Sequence, residues 1–119
     1  MTGKLTTHIL DTRHGCPAAS VTVEVWRIAP SGERTLLKTV QTNQDGRTDA
    51  PLLTEASFRA GTYELVFFMG DYFSQRVENL SDPMFLDVIP IRFGVVDPTA
   101  HYHIPLLATP WSYTTYRGS

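Results

Sequence analysis

Hydrophobic and polar residues alternate with a period of two along several short segments of the chain. In residues 5–10, Leu5 and Ile9 fall on one face. Thr6 and His8 fall on the opposite face. Because side chains alternate between the two faces of a strand, this pattern predicts a strand with one buried face. The same reasoning predicts strands at residues 5–10, 21–26, 34–41, 63–69, 86–95, 101–108 and 112–116.

Turn residues separate these segments and indicate an all-β fold. The tight turn Asp-Gly at residues 45–46 stands directly before Arg47. Pro90 interrupts a predicted strand, which indicates a sheet edge or a bulge because proline cannot donate to a ladder. Residues 71–77 are the best helical candidate. The pattern predicts a β-sandwich of seven to eight short strands with one short helix.

Length and composition limit the number of domains and the classes of partner. The chain has 119 residues, of which 42% are hydrophobic and 18% charged, and this fits a single domain spanning residues 1–119. Ten Lys and Arg residues against twelve Asp and Glu residues give a net charge of −2. Without a basic excess, neither nucleic acid nor an anionic membrane surface is an expected partner.

The single cysteine and the lack of a long apolar run bear on the cellular compartment. Cys16 has no second cysteine to pair with, so an intrachain disulfide is excluded. The longest apolar stretch, at residues 65–69, is far too short to cross a bilayer, and the first residues lack the apolar run of a signal peptide. These features predict a cytoplasmic protein.

Two histidines on one predicted strand are the first candidates for chemistry. His101 and His103 are two residues apart and therefore share a face of the strand. Such a pair suits zinc, but a third ligand is needed, and only His8 or His14 is left. No acidic residue stands in a ligand pattern nearby, so the sequence favours a site without metal or cofactor. The simpler interpretation for one of the pair is a solvent-facing histidine near a strand end.

His8 and Arg47 are the next candidates. His8 lies mid-strand, where a half-buried strand usually carries an apolar or neutral side chain. A purely structural interpretation makes His8 a hydrogen-bonded surface histidine and Arg47 an exposed cation in a turn. Two histidines and an arginine also suit the addition of water to a polarised carbonyl, because imidazole accepts a proton near neutral pH and guanidinium binds the developing anion.

Three motifs extend the interpretation to nearly the whole chain. Residues 8–18 read HILDTRHGCPA, residues 102–111 read YHIPLLATPW, and residues 116–119 read YRGS. In these motifs the sequence resembles the transthyretin-like family. The closing tetrapeptide resembles the enzyme branch of that family, the 5-hydroxyisourate hydrolases, and is absent from the thyroid-hormone carriers of the same fold.

The resemblance implies a fold, a reaction and an assembly. The fold is a transthyretin-like β-sandwich, and the reaction is the hydrolysis of 5-hydroxyisourate to 2-oxo-4-hydroxy-4-carboxy-5-ureidoimidazoline in urate degradation. The assembly is a homotetramer, a dimer of dimers, with active sites at the dimer–dimer interface. The alternative is a non-enzymatic carrier of a small molecule, such as a thyroid hormone, on the same fold.

The resemblance also implies the site residues. The carriers have lysine, an acidic residue and threonine at the positions of His8, Arg47 and His103, so this chain carries the residues of the enzyme branch. His8, Arg47 and His103 are implied as catalytic residues. His8, Arg47, Tyr116 and Ser119 are implied as substrate-binding residues. Which histidine is the general base stays open.

Overall fold

The computed structural model describes residues 3–118, and most of its regular structure is β-strand. Within this range there are seven strands of three to eight residues and two strands of two residues. The elements are β1 (Lys4–Asp11), β2 (Cys16–Pro17), β3 (Thr22–Ile28), β4 (Arg34–Gln41), β5 (Leu53–Thr54), a 3₁₀ turn (Glu55–Ser57), β6 (Gly61–Phe68), α1 (Met69–Phe73), β7 (Val88–Val95), β8 (His101–Ala108) and β9 (Tyr113–Thr115). No helix within residues 3–118 has the length and apolar character that crossing a membrane requires.

The strands form two sheets. One sheet has the order β2-β1-β8-β9, with β5 also paired to β1, and the other has the order β4-β3-β6-β7. β1 and β8 run parallel, and Thr6 lies beside His103 in their register. β2 and β5 pair with the two ends of β1 along its other edge. The middle of that edge, at His8, is therefore open to the loop that carries Arg47.

The core lies between the sheets and consists of the inward residues of each strand. Leu5 and Ile9 of β1 are fully buried, whereas Thr6 and His8 point away from the core. Burying a large apolar side chain contributes about 1.5–3 kcal/mol, so the orientation of β1 is strongly determined. The largest fully buried side chains are Tyr63, Phe67, Phe73, Leu5, Ile9, Leu52, Leu65, Met69, Ile89 and Leu106.

The predicted strands are confirmed, and Pro90 lies in the edge strand β7 as expected. The sequence pattern missed β2 and β5, which have only two residues each and form because β1 offers them an edge. The helix predicted at residues 71–77 is instead at Met69–Phe73. It begins earlier because Gly70 fits closely against Asp87, and the Gly70 amide donates to the Asp87 carbonyl oxygen at 2.9 Å.

A buried carboxylate connects α1 to the end of β1. Asp11 is fully buried and accepts hydrogen bonds from the Tyr72 hydroxyl at 2.8 Å and from His14 Nδ1 at 2.7 Å. Burial raises the pKa of Asp11, but the hydrogen bonds from His14 and Tyr72 outweigh it, so the pKa lies below its ordinary value. The folded protein therefore favours the charged carboxylate.

Replacing Tyr72 with phenylalanine is expected to lower the free energy of unfolding by about 1–3 kcal/mol, because the buried carboxylate loses a donor while the ring stays. Urea unfolding at pH 7 measures this change. Tyr113→Phe is the matched control, since Tyr113 is 43% exposed, and it is expected to shift stability by less than about 0.5 kcal/mol. Equal effects of the two variants would contradict the role of Asp11. The difference is expected to shrink below about pH 4, because Asp11 becomes protonated as the pH falls through its lowered pKa.

Candidate active site

The outward face of β1 and β8 carries four polar side chains next to each other. Thr6 and His8 come from β1, and His101 and His103 come from β8. The parallel register places Thr6 opposite His103, and alternation along each strand keeps the other two on the same surface. Thr6, His8 and His103 are half-buried, and His101 is exposed. The predicted shared face of His101 and His103 is confirmed.

A tight turn holds Arg47 against the open edge of β1. The Asn43 side-chain oxygen accepts a hydrogen bond from the Arg47 amide at 3.2 Å. Gly46 has a φ of 75°, and a Cβ at this position would collide with the carbonyl oxygen of Ile9. The Gly46 carbonyl oxygen accepts from the Ile9 amide at 2.8 Å. These contacts make the Arg47 backbone the bridge partner of His8.

The hydrogen bond of His8 determines which of its ring nitrogens carries the proton. His8 Nε2 is 2.9 Å from the Asp45 carbonyl oxygen. A carbonyl oxygen only accepts, so Nε2 donates, and Nδ1 of the neutral ring keeps its lone pair. Burial and the charge of Arg47 lower the pKa of His8, and the Asp45 carbonyl opposes them. His8 is therefore mainly neutral at pH 7.

His103 lies in a similar environment. Burial is the largest cause that lowers its pKa, followed by the positive charge of Arg47 and then by His101 and His8. His103 Nδ1 is 2.8 Å from the Thr6 hydroxyl. Arg47 acts on the pKa of both His8 and His103, which places the three side chains in one electrostatic cluster. A neutral imidazole beside a guanidinium is suited to accept a proton while a neighbouring anion develops.

An open cleft of about 390 Å³ runs along this surface. Arg47, His101 and His103 line it, together with Lys4 and Asp49. The volume is in the range of small-molecule sites, which is about 300–1,000 Å³. Within residues 3–118, the Arg47 guanidinium has no ion pair or hydrogen bond, so it is available to an anionic or carbonyl oxygen in the cleft.

The end of the described chain packs against β8. The Gly118 amide donates to the His103 carbonyl oxygen at 2.7 Å. A Cβ on Gly118 would lie 2.8 Å from Cδ2 of the His103 ring, so a larger residue here would displace that ring. The Arg117 guanidinium lies over the Tyr102 ring, 3.9 Å from its centre. The tail therefore supports His103 from the backbone and from one side of its ring.

Two residues of the tail, Tyr116 and Ser119, are predicted to bind substrate. Tyr116 is 58% exposed and lines a second open cleft, of about 520 Å³, with His101. It does not line the cleft of Arg47, although His101 borders both clefts. Ser119 lies outside the described residues.

Thr6 and Lys4 are the site residues that sequence reasoning missed. The period of two already placed Thr6 on the face of His8, but only the pairing of β1 with β8 brings it to His103. Lys4 lies opposite His101 in the same register and lines the cleft. Among the described residues, no three His, Cys, Asp or Glu side chains group closely enough to hold a metal ion, so the zinc interpretation gains no third ligand there.

Comparison with known proteins gives the family. Residues 5–118 match the model of the HIUase/Transthyretin family. The chain belongs to this family. The resemblance inferred from the sequence motifs is thereby confirmed. Its relatives in the HIUase/Transthyretin family include the 5-hydroxyisourate hydrolase of Halalkalibacterium halodurans, 57% identical over 100% of both chains. The 5-hydroxyisourate hydrolase of Mesorhizobium japonicum is 56% identical over 98% of this chain and 93% of its own.

Solved structures of the HIUase/Transthyretin fold superpose closely on this chain. The 5-hydroxyisourate hydrolase of Klebsiella pneumoniae has a TM-score of 0.79 at 34% identity and covers 98% of this chain and 99% of its own. Sea bream transthyretin in complex with thyroxine has a TM-score of 0.85 at 32% identity over 97% and 94%. The structure of (S)-allantoin synthase has a TM-score of 0.93 at 45% identity. The match covers 99% of this chain and 44% of the (S)-allantoin synthase chain. The predicted transthyretin-like β-sandwich is therefore confirmed.

Proposed function

We propose that this chain is a 5-hydroxyisourate hydrolase, which opens the cyclic amide of 5-hydroxyisourate and forms 2-oxo-4-hydroxy-4-carboxy-5-ureidoimidazoline in urate degradation. The observation that carries the proposal is the position of Arg47, which is the backbone bridge partner of His8 and lines one cleft with His103. Relatives named 5-hydroxyisourate hydrolase that are 48–57% identical over nearly the whole chain support the same reaction. A single domain at residues 1–119 is part of the proposal.

In the proposed reaction, His103 is the general base. A water molecule forms a C–O bond with the ring carbonyl carbon while its proton passes to the neutral imidazole. The proton then moves to the ring nitrogen as the C–N bond breaks, so the imidazole returns to its neutral form. His8 lies beside this reaction with Nδ1 unprotonated, and it binds the water or a substrate N–H. The reaction uses no metal and no cofactor.

Arg47 stabilises the anion that forms when water attacks. Its guanidinium offers several donors in one plane, which suits a carbonyl oxygen as it becomes an oxyanion. Tyr116 and Ser119 complete the proposed substrate contacts from the tail. Because Tyr116 borders the neighbouring cleft, it contacts the side of the substrate that extends past His101.

The test is the ultraviolet decay of 5-hydroxyisourate generated in the cuvette by urate oxidation. The proposal predicts that wild-type protein accelerates the decay in proportion to its concentration. Thyroxine titration in a calorimeter runs alongside as the test of the carrier alternative. Decay at the rate of buffer, together with tight thyroxine binding, would replace the hydrolase proposal with the carrier.

Removing residues 117–119 is expected to lower kcat/KM by about 10²-fold, because His103 loses its contact with Gly118 and a small displacement of a catalytic group has an effect of this size. Removing Ser119 alone is the matched control for the chain terminus. This variant keeps the contacts of Gly118 with His103 and of Arg117 with Tyr102. Any loss of activity in it is therefore due to Ser119 itself and not to loss of tail packing against β8. Full activity of the longer truncation would exclude the tail from the site.

Activity is expected to fall in acid with a midpoint below pH 6.5, the ordinary histidine value. The groups that face His103 are Arg47, His8 and His101, and all of them act with burial to lower its pKa. The neutral base therefore persists to lower pH than a free imidazole. The pH dependence of kcat/KM, corrected for spontaneous decay, measures this midpoint. A midpoint at or above pH 6.5 would contradict the proposed base.

The proposal includes a homotetramer in the cytoplasm, with sites at the dimer–dimer interface. Supporting observations are the open cleft on one sheet face and the exposed Tyr116, which lines the neighbouring cleft with His101. A second copy of this face would close the cleft and exclude water. The exposed thiol of Cys16 fits a reducing compartment. Sedimentation equilibrium is expected to give four times the chain mass of 13.3 kDa.

A further inference from the structure

The hydroxyl of Thr6 lies between two imidazoles. Thr6 Oγ1 is 2.8 Å from His103 Nδ1 and 2.8 Å from His101 Nε2. The two imidazole ring centres are 6.1 Å apart, so the rings are linked through the hydroxyl. The parallel register of β1 and β8 produces this arrangement, because it sets Thr6 beside His103 and the alternation of β8 adds His101 on the same face.

A hydroxyl has a single proton, and this limits the protonation of the two rings. Among the described residues, His101 and His103 are the only hydrogen-bond partners of Thr6 Oγ1. With its proton used in one of these two bonds, Thr6 donates to one ring and accepts from the other, which gives the neutral triad two arrangements. In the first, His103 Nδ1–H donates to Thr6, Thr6 donates to His101 Nε2, and His103 Nε2 keeps a lone pair. In the second, every donor is reversed, and His103 Nε2 carries a proton. Of these two arrangements, only the first leaves a base at His103 Nε2.

In the first arrangement, both hydrogen bonds of Thr6 stay unchanged when His103 accepts a proton. When His103 Nε2 takes a proton, Nδ1 still donates to Thr6, and both hydrogen bonds keep their direction. In the second arrangement, the only lone pair of His103 is already used by the Thr6 hydroxyl, so protonation breaks that bond. The geometry therefore favours Nδ1–H on His103 whenever this histidine accepts a proton.

We propose that Thr6 is a positioning residue that, with His101 as its acceptor, holds the proton of His103 on Nδ1 and leaves Nε2 free to act as base. The role of Nε2 as base rests on the proposed function. The choice of the Nδ1–H tautomer rests on it as well, but the tautomer is measured in the protein without substrate. The substrate does not contact Thr6 for this purpose, since the effect passes through the His103 ring.

The tautomer is measured directly by ¹⁵N–¹H NMR of the histidine rings in the full-length protein, at a pH where His103 is neutral. In wild type, His103 is expected to be protonated on Nδ1 and unprotonated on Nε2, and His101 is expected to be unprotonated on Nε2. Thr6→Val keeps the branched shape and removes the hydroxyl, so His103 is expected to shift toward the Nε2–H form. Wild-type His103 protonated on Nε2, or no change in Thr6→Val, would overturn the proposal.

Kinetics on 5-hydroxyisourate provide the second readout. Thr6→Val is expected to lower kcat by about 10- to 100-fold, the size seen when a partner that orients a functional histidine is lost. KM is expected to stay within about twofold, and Thr6→Ser is expected to restore kcat because it restores the hydroxyl. Thr22→Val, in β3 of the other sheet, is the matched control for a strand threonine. Unchanged kcat in Thr6→Val would overturn the positioning role.

The two readouts distinguish failure of this proposal from failure of the proposed function. If wild type does not hydrolyse 5-hydroxyisourate, the NMR experiment still decides whether Thr6 sets the tautomer. If wild type is active and Thr6→Val loses kcat without a change in the His103 tautomer, the positioning role is overturned and the hydrolase function stands. Urea unfolding of each variant shows that the comparison is made between folded proteins.

Discussion

Replacing His103 with glutamine is expected to slow the hydrolysis of the substrate by about 10²–10⁴-fold at saturation, the usual contribution of a general base. Glutamine keeps a polar side chain of similar reach toward Thr6, but it cannot accept the proton of the attacking water. The backbone bond to Gly118 is unaffected, because it uses the His103 carbonyl oxygen. Steady-state rates at saturating substrate, with spontaneous decay subtracted, measure the change.

His14→Gln is the matched control for His103→Gln. Of the four histidines, His14 is the one that does not lie on the outward face of β1 and β8, and its partner is the buried Asp11. Its replacement is expected to reduce stability and to leave the kcat of the folded enzyme within about twofold of wild type. Wild-type kcat in His103→Gln would contradict the assignment of the base. If His8→Gln then showed the larger loss, the base would be His8.

Replacing Arg47 with alanine is expected to lower kcat by about 10²–10³-fold, the cost of losing one donor to an oxyanion. The guanidinium is exposed to the cleft and unpaired within residues 3–118, so its loss leaves no buried partner unsatisfied. The effect is therefore expected in the rate and not in the stability. Arg47→Lys is expected to recover only part of the rate, because an ammonium does not offer two parallel donors.

Arg34→Ala is the matched control for Arg47→Ala. Arg34 is also an exposed arginine, but it stacks on Trp26 and pairs with Glu64 on the other sheet. It is expected to leave kcat unchanged. A second control is the addition of guanidinium to Arg47→Ala, which is expected to restore part of the rate. Equal kcat for Arg47→Ala and wild type would contradict the role of Arg47.

The strands and the positions of four residues at the site could be predicted from the sequence because their signals are local. Period-two alternation placed His8 on the outward face of β1, and the Asp-Gly turn placed Arg47 at a loop tip. The separation of two residues placed His101 and His103 on one face of β8. These predictions needed no knowledge of which strands pair.

The remaining features depend on pairing between distant segments. The bonds of Thr6 to both histidines come from the parallel register of β1 and β8, which are about ninety residues apart in the chain. The two-residue strands β2 and β5 likewise need the edge of β1. The helix began earlier than its apolar pattern indicated because Gly70 fits against Asp87. None of these partners is visible in a local sequence pattern.

Hydrolysis of 5-hydroxyisourate by the proposed cluster of His8, Arg47 and His103 can be tested in one experiment. The most direct measurement is the stopped-flow decay of freshly generated 5-hydroxyisourate with wild type, with the double variant Arg47→Ala/His103→Gln, and with buffer. With wild type we expect rapid decay to 2-oxo-4-hydroxy-4-carboxy-5-ureidoimidazoline, identified by NMR. With the folded double variant we expect decay near the buffer rate. Wild-type decay at the buffer rate, or equal rates for wild type and the double variant, would contradict hydrolysis by this cluster.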